Sequence, residues 1–188
     1  MVTEEKVQRA FLSLMQQSSY TDITVTALAE KAGINRRTFY RHYASIASVL
    51  AKFECNMVQT YCQALTGQAF STRRFIEAIN QNITQYYDFF DDLAVTQKHG
   101  FFIEHCVNII AYVFDAALQP PATITADEFK LRIRFVAAGI VRVYLDWLRE
   151  GQPVSLEDLT KQLDAMVSAE LAGLKPKAPG VTDQKIEA

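Results

Sequence analysis

The sequence predicts an all-α protein, and three features of its 188 residues support that prediction. Apolar residues recur with a helical period in nearly every segment. Glycine and proline are sparse, at 7 and 5 residues, which favours long regular elements over a loop-rich β fold. Hydrophobic residues make up 49% of the chain, which is enough to fill a substantial core.

Four helices are predicted in the first third of the chain. Their spans are residues 3–17, 25–32 and 36–43, followed by a longer helix after Ser45. Thr24, Asn35 and Ser45 each precede one of these spans, and their side-chain oxygens can accept a hydrogen bond from the first helical turn. Because the first three helices are short and the later ones long, a domain boundary is expected near residues 45–50.

Four more helices are predicted in the rest of the chain. The first follows the apolar series Phe75, Ile79, Ile83, Tyr86 and Phe90, and the others span residues 101–118, 126–150 and 155–171. Residues 91–100 are expected to be irregular or a short helical turn. Ser155 and Asp158 have the spacing of a capping box. No strand is predicted, and residues 174–188 are predicted to form a disordered tail.

Composition and motifs argue against several classes of protein. The chain has a net charge of -2, and its N-terminus has no apolar signal core, so we expect a cytoplasmic protein that does not associate with a membrane. Three cysteines without a CxxC motif are expected to be buried apolar residues. His99, Glu104, His105 and Cys106 match no metal-ligand spacing. Without a nucleophile elbow or a glycine-rich phosphate loop, we predict no enzyme, metal or cofactor.

The stretch GINRRTFYRHY, from Gly33 to Tyr43, concentrates three arginines, a histidine and three aromatic residues. No aspartate or glutamate occurs between Lys31 and Phe53, although the whole chain is mildly acidic. Such local positive charge is typical of a face that contacts DNA. The alternative is a solvated basic helix, which is less consistent with the turn and cap residues around it.

Around this stretch the sequence has the pattern of a helix-turn-helix. Ala29 allows the two helices to approach closely, and Gly33 can adopt the positive φ that the turn needs. Ile34 and Phe39 can pack against Leu28 and the first helix. The remaining side chains are left pointing outward: Arg36, Arg37, Thr38, Arg41 and His42. Arginine and threonine can bind base edges in a major groove, and tyrosine commonly binds phosphate.

The segment TVTALAEKAGINRRTFYRHYAS resembles the sequence signature of the TetR family of bacterial transcriptional regulators. The matching positions are Thr24, Val25, Leu28, Ala29, Ala32, Gly33, Ile34, Phe39, Tyr40, His42 and Tyr43. The resemblance implies a three-helix DNA-binding head at residues 1–47 and a larger helical domain at residues 48–173 that dimerises and usually binds a small molecule. It also implies DNA contacts by Thr26, Arg36, Arg37, Thr38, Tyr40, Arg41 and His42.

Three positions depart from the family pattern. Ile46 stands where a lysine often opens the fourth helix, so one phosphate contact is expected to be missing. Ser19 replaces the usual glycine after the first helix, and Ala27 replaces an acidic residue of the second. These differences imply weaker DNA binding or only a local variant of the motif.

The last two predicted helices carry apolar residues on more than one face, so both faces must be covered. The resemblance implies that they meet their copies in a four-helix dimer interface. The expected interface residues are Ile140, Val143, Trp147, Leu159, Leu163 and Met166. The alternative is that these helices only complete the core of one chain.

Many aromatic residues lie in the middle helices, where polar tips among apolar walls suit a ligand pocket and also an ordinary core. We expect an effector pocket, mainly because of the family resemblance. Its expected lining residues are Met57, Tyr61, Tyr86, His105 and Ile109.

The predicted function is a homodimeric transcriptional regulator, in the first instance a repressor, that binds a palindromic double-stranded DNA operator and is released by a small-molecule effector. Two alternatives stay open. One is a coactivator of the same fold that acts through a protein partner, for which Ile46 leaves room. The other is an effector-binding helical protein without a DNA role.

Overall fold

The computed structural model describes residues 3–65, 70–96 and 99–177. Within these ranges the chain is almost entirely helical, which confirms the predicted all-α class. The helices are α1 (Thr3–Gln17), α2 (Val25–Lys31), α3 (Arg36–His42), α4 (Ile46–Leu65), α5 (Thr72–Gln85), α6 (Tyr87–Thr96), α7 (Gly100–Ala117), α8 (Ala126–Arg149) and α9 (Leu156–Glu170). A 3₁₀ turn, Tyr20–Asp22, and two short strands, β1 (Leu118–Gln119) and β2 (Lys175–Pro176), complete the described chain. We call α1–α3 the head and α4–α9 the body.

The predicted helix caps are present. Thr24 Oγ1 accepts a hydrogen bond from a backbone N–H of α2 at 3.2 Å, and Asn35 Oδ1 accepts one from α3 at 2.8 Å. Ser45 and Ser48 each accept the other's backbone N–H at the start of α4. Ser155 Oγ accepts from the backbone N–H of Asp158 at 3.1 Å. These caps satisfy donors that a helix leaves unpaired in its first turn.

The middle of the chain differs from the prediction in two places. The helix predicted to run through Phe90 is two helices, because Tyr86 leaves helical geometry at φ -124° and ψ 37°. Residues 91–96, predicted to be irregular or a short helical turn, belong to the ten-residue helix α6. The side chains of Phe89, Phe90 and Leu93 are buried at a helical spacing, and burial of this face explains why the helix continues past two aspartates.

The prediction that no strand forms is also wrong. β1 pairs antiparallel with β2, and the backbone N–H of Lys177 donates to the carbonyl of Ala117 at 2.8 Å. Leu118 is buried, so the pairing covers the end of α7. Residues 174–177 of the predicted disordered tail therefore have defined positions. The rest of that prediction, residues 178–188, lies outside the described residues.

One continuous core joins the head to the body. α1 packs against α2, α4 and α6, α7 packs against both α4 and α8, and α5 packs against α4 and α9. Its largest fully buried side chains are Phe11 and Phe39 in the head and Phe53, Phe75, Phe102 and Phe114 in the body. The predicted domain boundary at residues 47 and 48 falls in the first turn of α4, so α4 connects both parts.

Among the described helices, α7 is long and apolar enough to cross a membrane, with a mean hydropathy of 1.3. Helices at the centre of a folded core have the same length and composition. Phe102, Val113 and Phe114 of α7 are almost fully buried, and the helix packs against α4 and α8. We therefore interpret α7 as the central helix of the body.

Two buried tyrosine hydroxyls have opposite surroundings. Tyr144 Oη donates to Asn80 Oδ1 at 2.5 Å, and Asn80 Nδ2 donates to Thr160 Oγ1 at 2.7 Å, which connects α8, α5 and α9. The hydroxyl of Tyr43, in the head, has no hydrogen-bond partner among the described residues. Burial raises the pKa of Tyr43 to about 12, so the unpartnered group stays a neutral hydroxyl.

We expect removal of these two hydroxyls to change stability in opposite directions. Tyr43→Phe deletes an unsatisfied polar group and should raise the free energy of unfolding by about 1 kcal/mol. Tyr144→Phe leaves Asn80 Oδ1 without its donor and should lower the same quantity by about 1–2 kcal/mol. Urea denaturation of both variants measures the difference. Equal destabilisation of the two variants would contradict the conclusion that the Tyr144 hydroxyl is hydrogen-bonded and the Tyr43 hydroxyl is not.

Candidate nucleic-acid interface

The turn between α2 and α3 is closed by a glycine. Gly33 has φ +66°, a conformation that favours glycine, and its N–H donates to the carbonyl of Glu30 at 3.0 Å. The N–H of Ile34 donates to the carbonyl of Ala29, also at 3.0 Å. This pair of bonds is a Schellman motif, which ends α2 and fixes the direction in which the chain enters α3.

Gly33→Ala is expected to destabilise the head by about 1–2 kcal/mol, because an L side chain is strained at positive φ. A Cβ at this position would meet no atom within 4 Å, so backbone strain is the only cost. Gly100→Ala is the matched control, since Gly100 begins α7, has no unusual φ and is equally uncrowded. Thermal unfolding should give a lower Tm for Gly33→Ala and an unchanged or slightly higher Tm for Gly100→Ala.

α3 is anchored by its inner face. Phe39 is fully buried, and its ring lies 5.7 Å from the ring of Tyr43, measured between centroids. Arg36, Arg37 and Arg41 are exposed on the helix that Phe39 holds in place. The fold therefore presents a short arginine-rich helix to solvent.

The other predicted DNA-contact residues occupy three different environments. Thr26, at the start of α2, and Tyr40, on α3, are exposed. Thr38 is half-buried, and its backbone N–H donates a hydrogen bond to Oδ1 of Asn35, the N-cap of α3. The imidazole of His42 lies beside α1, with Nδ1 3.7 Å from Glu4 Oε1.

The three arginines of α3 form no ion pair within the described part of the chain. By contrast, five arginines elsewhere do: Arg9, Arg73, Arg134, Arg142 and Arg149. Unpaired guanidinium groups on one short helix create a local positive field and keep all their donors free. Ile46, at the position where the family often has a lysine, is half-buried against the core, so the head lacks a cation there.

The body contains a small apolar cavity of about 40 Å³, bounded by α4, α5, α6, α7 and α8. Met57 and Tyr61, two of the five predicted pocket residues, line it. The other three do not. Tyr86 faces clefts beside α1, the His105 imidazole pairs with the Glu54 carboxylate, and Ile109 is buried elsewhere in the core.

None of the described residues that line this cavity carries a charged side chain. The Tyr61 hydroxyl bonds to Asn82, and burial raises the pKa of Tyr61 above its ordinary value. Burial also raises the pKa of the Cys106 thiol to about 12, so Cys106 is a neutral wall residue. The cavity therefore suits an uncharged apolar molecule.

The predicted dimer residues divide into two groups. Ile140, Trp147, Leu159 and Leu163 are buried within the single chain, whereas Val143 is half-buried and Met166 is 51% exposed. Two exposed residues were missed: Leu131 and Phe135, with 72% and 65% of their surface accessible. The sequence contained a signal for them, because Leu131, Phe135, Gly139 and Val143 recur every four residues along one face of α8.

A groove of about 150 Å³ between α8 and α9 is lined by Phe135, Gly139, Val143 and Met166 among others. We call these four residues, with Leu131, the α8–α9 face. Large apolar side chains grouped on an exposed face of this kind mark an interaction surface.

In the small helical head, a glycine turn leads into a short helix whose exposed arginines form no ion pair with the other described residues. This arrangement defines a helix-turn-helix DNA-binding protein. Comparison with known families agrees. The sequence model described as "Bacterial regulatory proteins, tetR family" matches residues 9–52, and the model described as "Transcriptional regulator C-terminal region" matches residues 70–169. The chain belongs to the TetR family of transcriptional regulators. Members of this family are regulators rather than enzymes, which confirms the prediction of a non-enzymatic protein.

Individual relatives are more distant. A Bacillus subtilis (strain 168) protein, the "Uncharacterized HTH-type transcriptional regulator YxbF", is 36% identical over 61 residues, which are 32% of this chain and 15% of that protein. The chain thus matches only a small part of that relative's length. The "Dihydroxyacetone kinase operon activator DhaS" superposes with a TM-score of 0.56 at 20% identity, covering 90% of this chain and 96% of DhaS. A TetR transcriptional regulator from Streptococcus agalactiae 2603V gives 0.57 at 22% identity, covering 88% and 93%. At these identities the solved structures support the fold.

Proposed function

We propose that this protein is a homodimeric repressor that binds a palindromic double-stranded DNA operator and is released by a small-molecule effector. The observation that carries the proposal is the exposed face of α3, where Arg36, Arg37 and Arg41 have no acidic partner among the described residues. Arginines left without an internal partner are free to bind phosphates and base edges.

Each contact residue has a role that suits its chemistry. Arg36, Arg37 and Arg41 can each donate two hydrogen bonds to the O6 and N7 atoms of guanine or to a phosphate. Tyr40 is proposed to donate to a phosphate oxygen, as tyrosine hydroxyls commonly do. Thr26, Thr38 and His42 are proposed as supporting contacts, with Thr26 on α2 reaching the DNA backbone.

A dimer follows from the short length of the recognition helix. The seven residues of α3 extend over only about 10 Å, so one head contacts few base pairs. Two heads can bind half-sites about 34 Å apart, on the same side of the duplex. We propose that the α8–α9 face meets its copy, with Val143 and Met166 from the expected set and Leu131 and Phe135 added.

Effector release is proposed to act through the apolar cavity of the body. α6 and α7 supply part of its wall. The end of α1 is contacted by α6 and by His99, the residue just before α7. Gln16 Nε2 donates to the carbonyl of Asp88 at 2.6 Å, and His99 Nε2 lies 2.6 Å from the carbonyl of Met15. A ligand that widens the cavity would move α1, change the separation of the two heads and weaken simultaneous binding of both half-sites.

Selection of bound fragments from sheared genomic DNA tests the proposal. Purified protein should enrich a small set of fragments that share an inverted repeat, with half-sites spaced by one or two helical turns. Enrichment that does not differ between sequences would contradict operator recognition by this head.

A second candidate is a coactivator that acts mainly through a protein partner. Ile46 favours it, because the head lacks the cation that often opens the fourth helix of the family. One structural relative is described as an operon activator, so activation occurs within this fold. In this case the selection should enrich no inverted repeat unless the partner protein is added.

A further inference from the structure

We propose that the protein has a second ligand site, which binds a small organic ammonium ion in a polar cleft between the head and the body. The cleft has a volume of about 370 Å³, which is in the range of small-molecule sites, and it lies next to the apolar cavity described above, with Met57 in the wall of both. Its walls come from α1, α4 and the α5–α6 junction. The polar lining includes Glu4, Glu5 and Gln8 from α1 and Asn56, Thr60 and Asn82 from the body.

The first observation is an amide on a largely buried side chain that opens into the cleft. Gln8 is only 5% exposed, it lines the cleft, and its side chain forms no hydrogen bond with another described residue. The amide is not among the fully enclosed polar groups of the described residues, so its polar atoms open into the cleft. It can therefore offer two donors and an acceptor to a polar group that enters the cleft.

The second observation is the charge of the lining. Among the described residues, the charged side chains that line the cleft are Glu4 and Glu5, and both are acidic. Each of these carboxylates already has one basic neighbour. Glu5 Oε1 lies 3.3 Å from Arg9 Nε, and Glu4 Oε1 lies 3.7 Å from His42 Nδ1. A carboxylate accepts several hydrogen bonds, so both groups keep acceptor capacity. The cleft therefore favours a cation with N–H donors and disfavours an anion.

The third observation is an aromatic wall. Tyr86 and Phe53 line the same cleft, with their ring centroids 5.2 Å apart. An ammonium group is attracted to aromatic rings, and this attraction adds to that of the carboxylates. Carboxylates, an unpaired amide and aromatic rings together select a small organic ammonium ion over a neutral molecule of the same size.

Occupancy of this cleft is expected to affect DNA binding. A ligand that contacts Gln8 and Asn82 bridges α1 of the head to α5 of the body. Glu4 also contacts His42, at the end of the recognition helix, so a ligand ammonium group would compete with the imidazole for the same carboxylate. If the ligand changes operator affinity by some factor, operator DNA must change ligand affinity by the same factor.

The direct test is titration of the full-length protein with 1,4-diaminobutane, observed through the side-chain NH₂ signals of protein labelled with ¹⁵N-glutamine. We expect saturable shifts of the Gln8 signal. The neutral analogue 1,4-butanediol should bind at least about tenfold more weakly, and succinate should cause no saturable shift. Absence of a saturable shift with the diamine, or equal binding of the diol, would overturn the proposal.

Variants separate this site from general attraction to an acidic protein. Gln8→Leu, and the double change Glu4→Gln with Glu5→Gln, should each weaken diamine binding at least about tenfold. Glu77→Gln is the matched control, because Glu77 is an acidic residue of α5 outside the cleft, paired with Arg73. Unchanged affinity in the cleft variants, with folding verified by thermal unfolding, would also overturn the proposal. The titration uses no DNA, so its failure would leave the proposed operator binding intact.

Discussion

Replacing Arg36, Arg37 and Arg41 together by alanine is expected to abolish operator binding while the protein stays folded and dimeric. The three guanidinium groups are exposed, and none forms an ion pair with another described residue. Their removal therefore breaks no ion pair within the described part of the chain. Each arginine that binds a guanine edge or a phosphate contributes about 1–3 kcal/mol, so affinity for the operator should fall by roughly a thousandfold or more. Fluorescence anisotropy with a labelled operator measures the loss.

A control of equal charge shows whether the position of the arginines matters. Arg73, Lys161 and Lys175 are exposed cations of the body, and their replacement by alanine removes the same formal charge. Their loss should weaken binding only slightly, through the long-range field. If the triple variant of α3 bound the operator as tightly as the control, α3 would not be the recognition helix.

Phe135→Asp is expected to dissociate the proposed dimer and, as a consequence, to remove operator binding. Phe135 is 65% exposed in the single chain and lies in the middle of the α8–α9 face. Burying an unpaired carboxylate against a copy of the same apolar face costs several kcal/mol, so the dimer dissociation constant should rise by roughly a hundredfold or more. Sedimentation equilibrium gives this constant directly.

Val95→Asp is the matched control for this change. Val95 is 61% exposed on α6, away from the α8–α9 face, so its replacement adds the same charge without entering the proposed interface. The control should stay dimeric. A Phe135→Asp protein that sediments as wild type would exclude the α8–α9 face as the contact between subunits.

The head could be predicted from the sequence in detail because its determinants are local. Thr24 and Asn35 cap the helices that follow them, and Gly33 closes a turn within a few residues of both. Their conformations depend on neighbours in the chain, so a pattern of residue types is sufficient. The exposed arginines then follow from the period of a helix with Phe39 on its inner face.

The errors arise where distant parts of the chain decide the structure. The break at Tyr86 has no glycine or proline to mark it, and β1 pairs with a strand more than fifty residues away. The polar cleft was missed for the same reason, since only the fold brings Gln8 next to Asn82.

The α8–α9 face shows how much an apolar sequence pattern can predict about a surface. Periodicity identified α8 and α9 as helices that are apolar on several sides, but it could not separate the side that covers the core from the side that meets a copy. Trp147 and Leu163 were therefore predicted to lie in the interface, although both are buried in the single chain. The structure identifies the side that covers the core, because Trp147 and Leu163 are buried whereas Phe135 and Met166 remain exposed.

The most direct test of the central claim is the affinity of the purified protein for DNA from its own genomic neighbourhood, measured over a series of salt concentrations. We predict one fragment bound about a thousandfold or more tightly than a scrambled fragment, with affinity falling steeply and log-linearly as salt rises. Weak binding that is equal on all fragments would contradict operator recognition and would favour action through a protein partner.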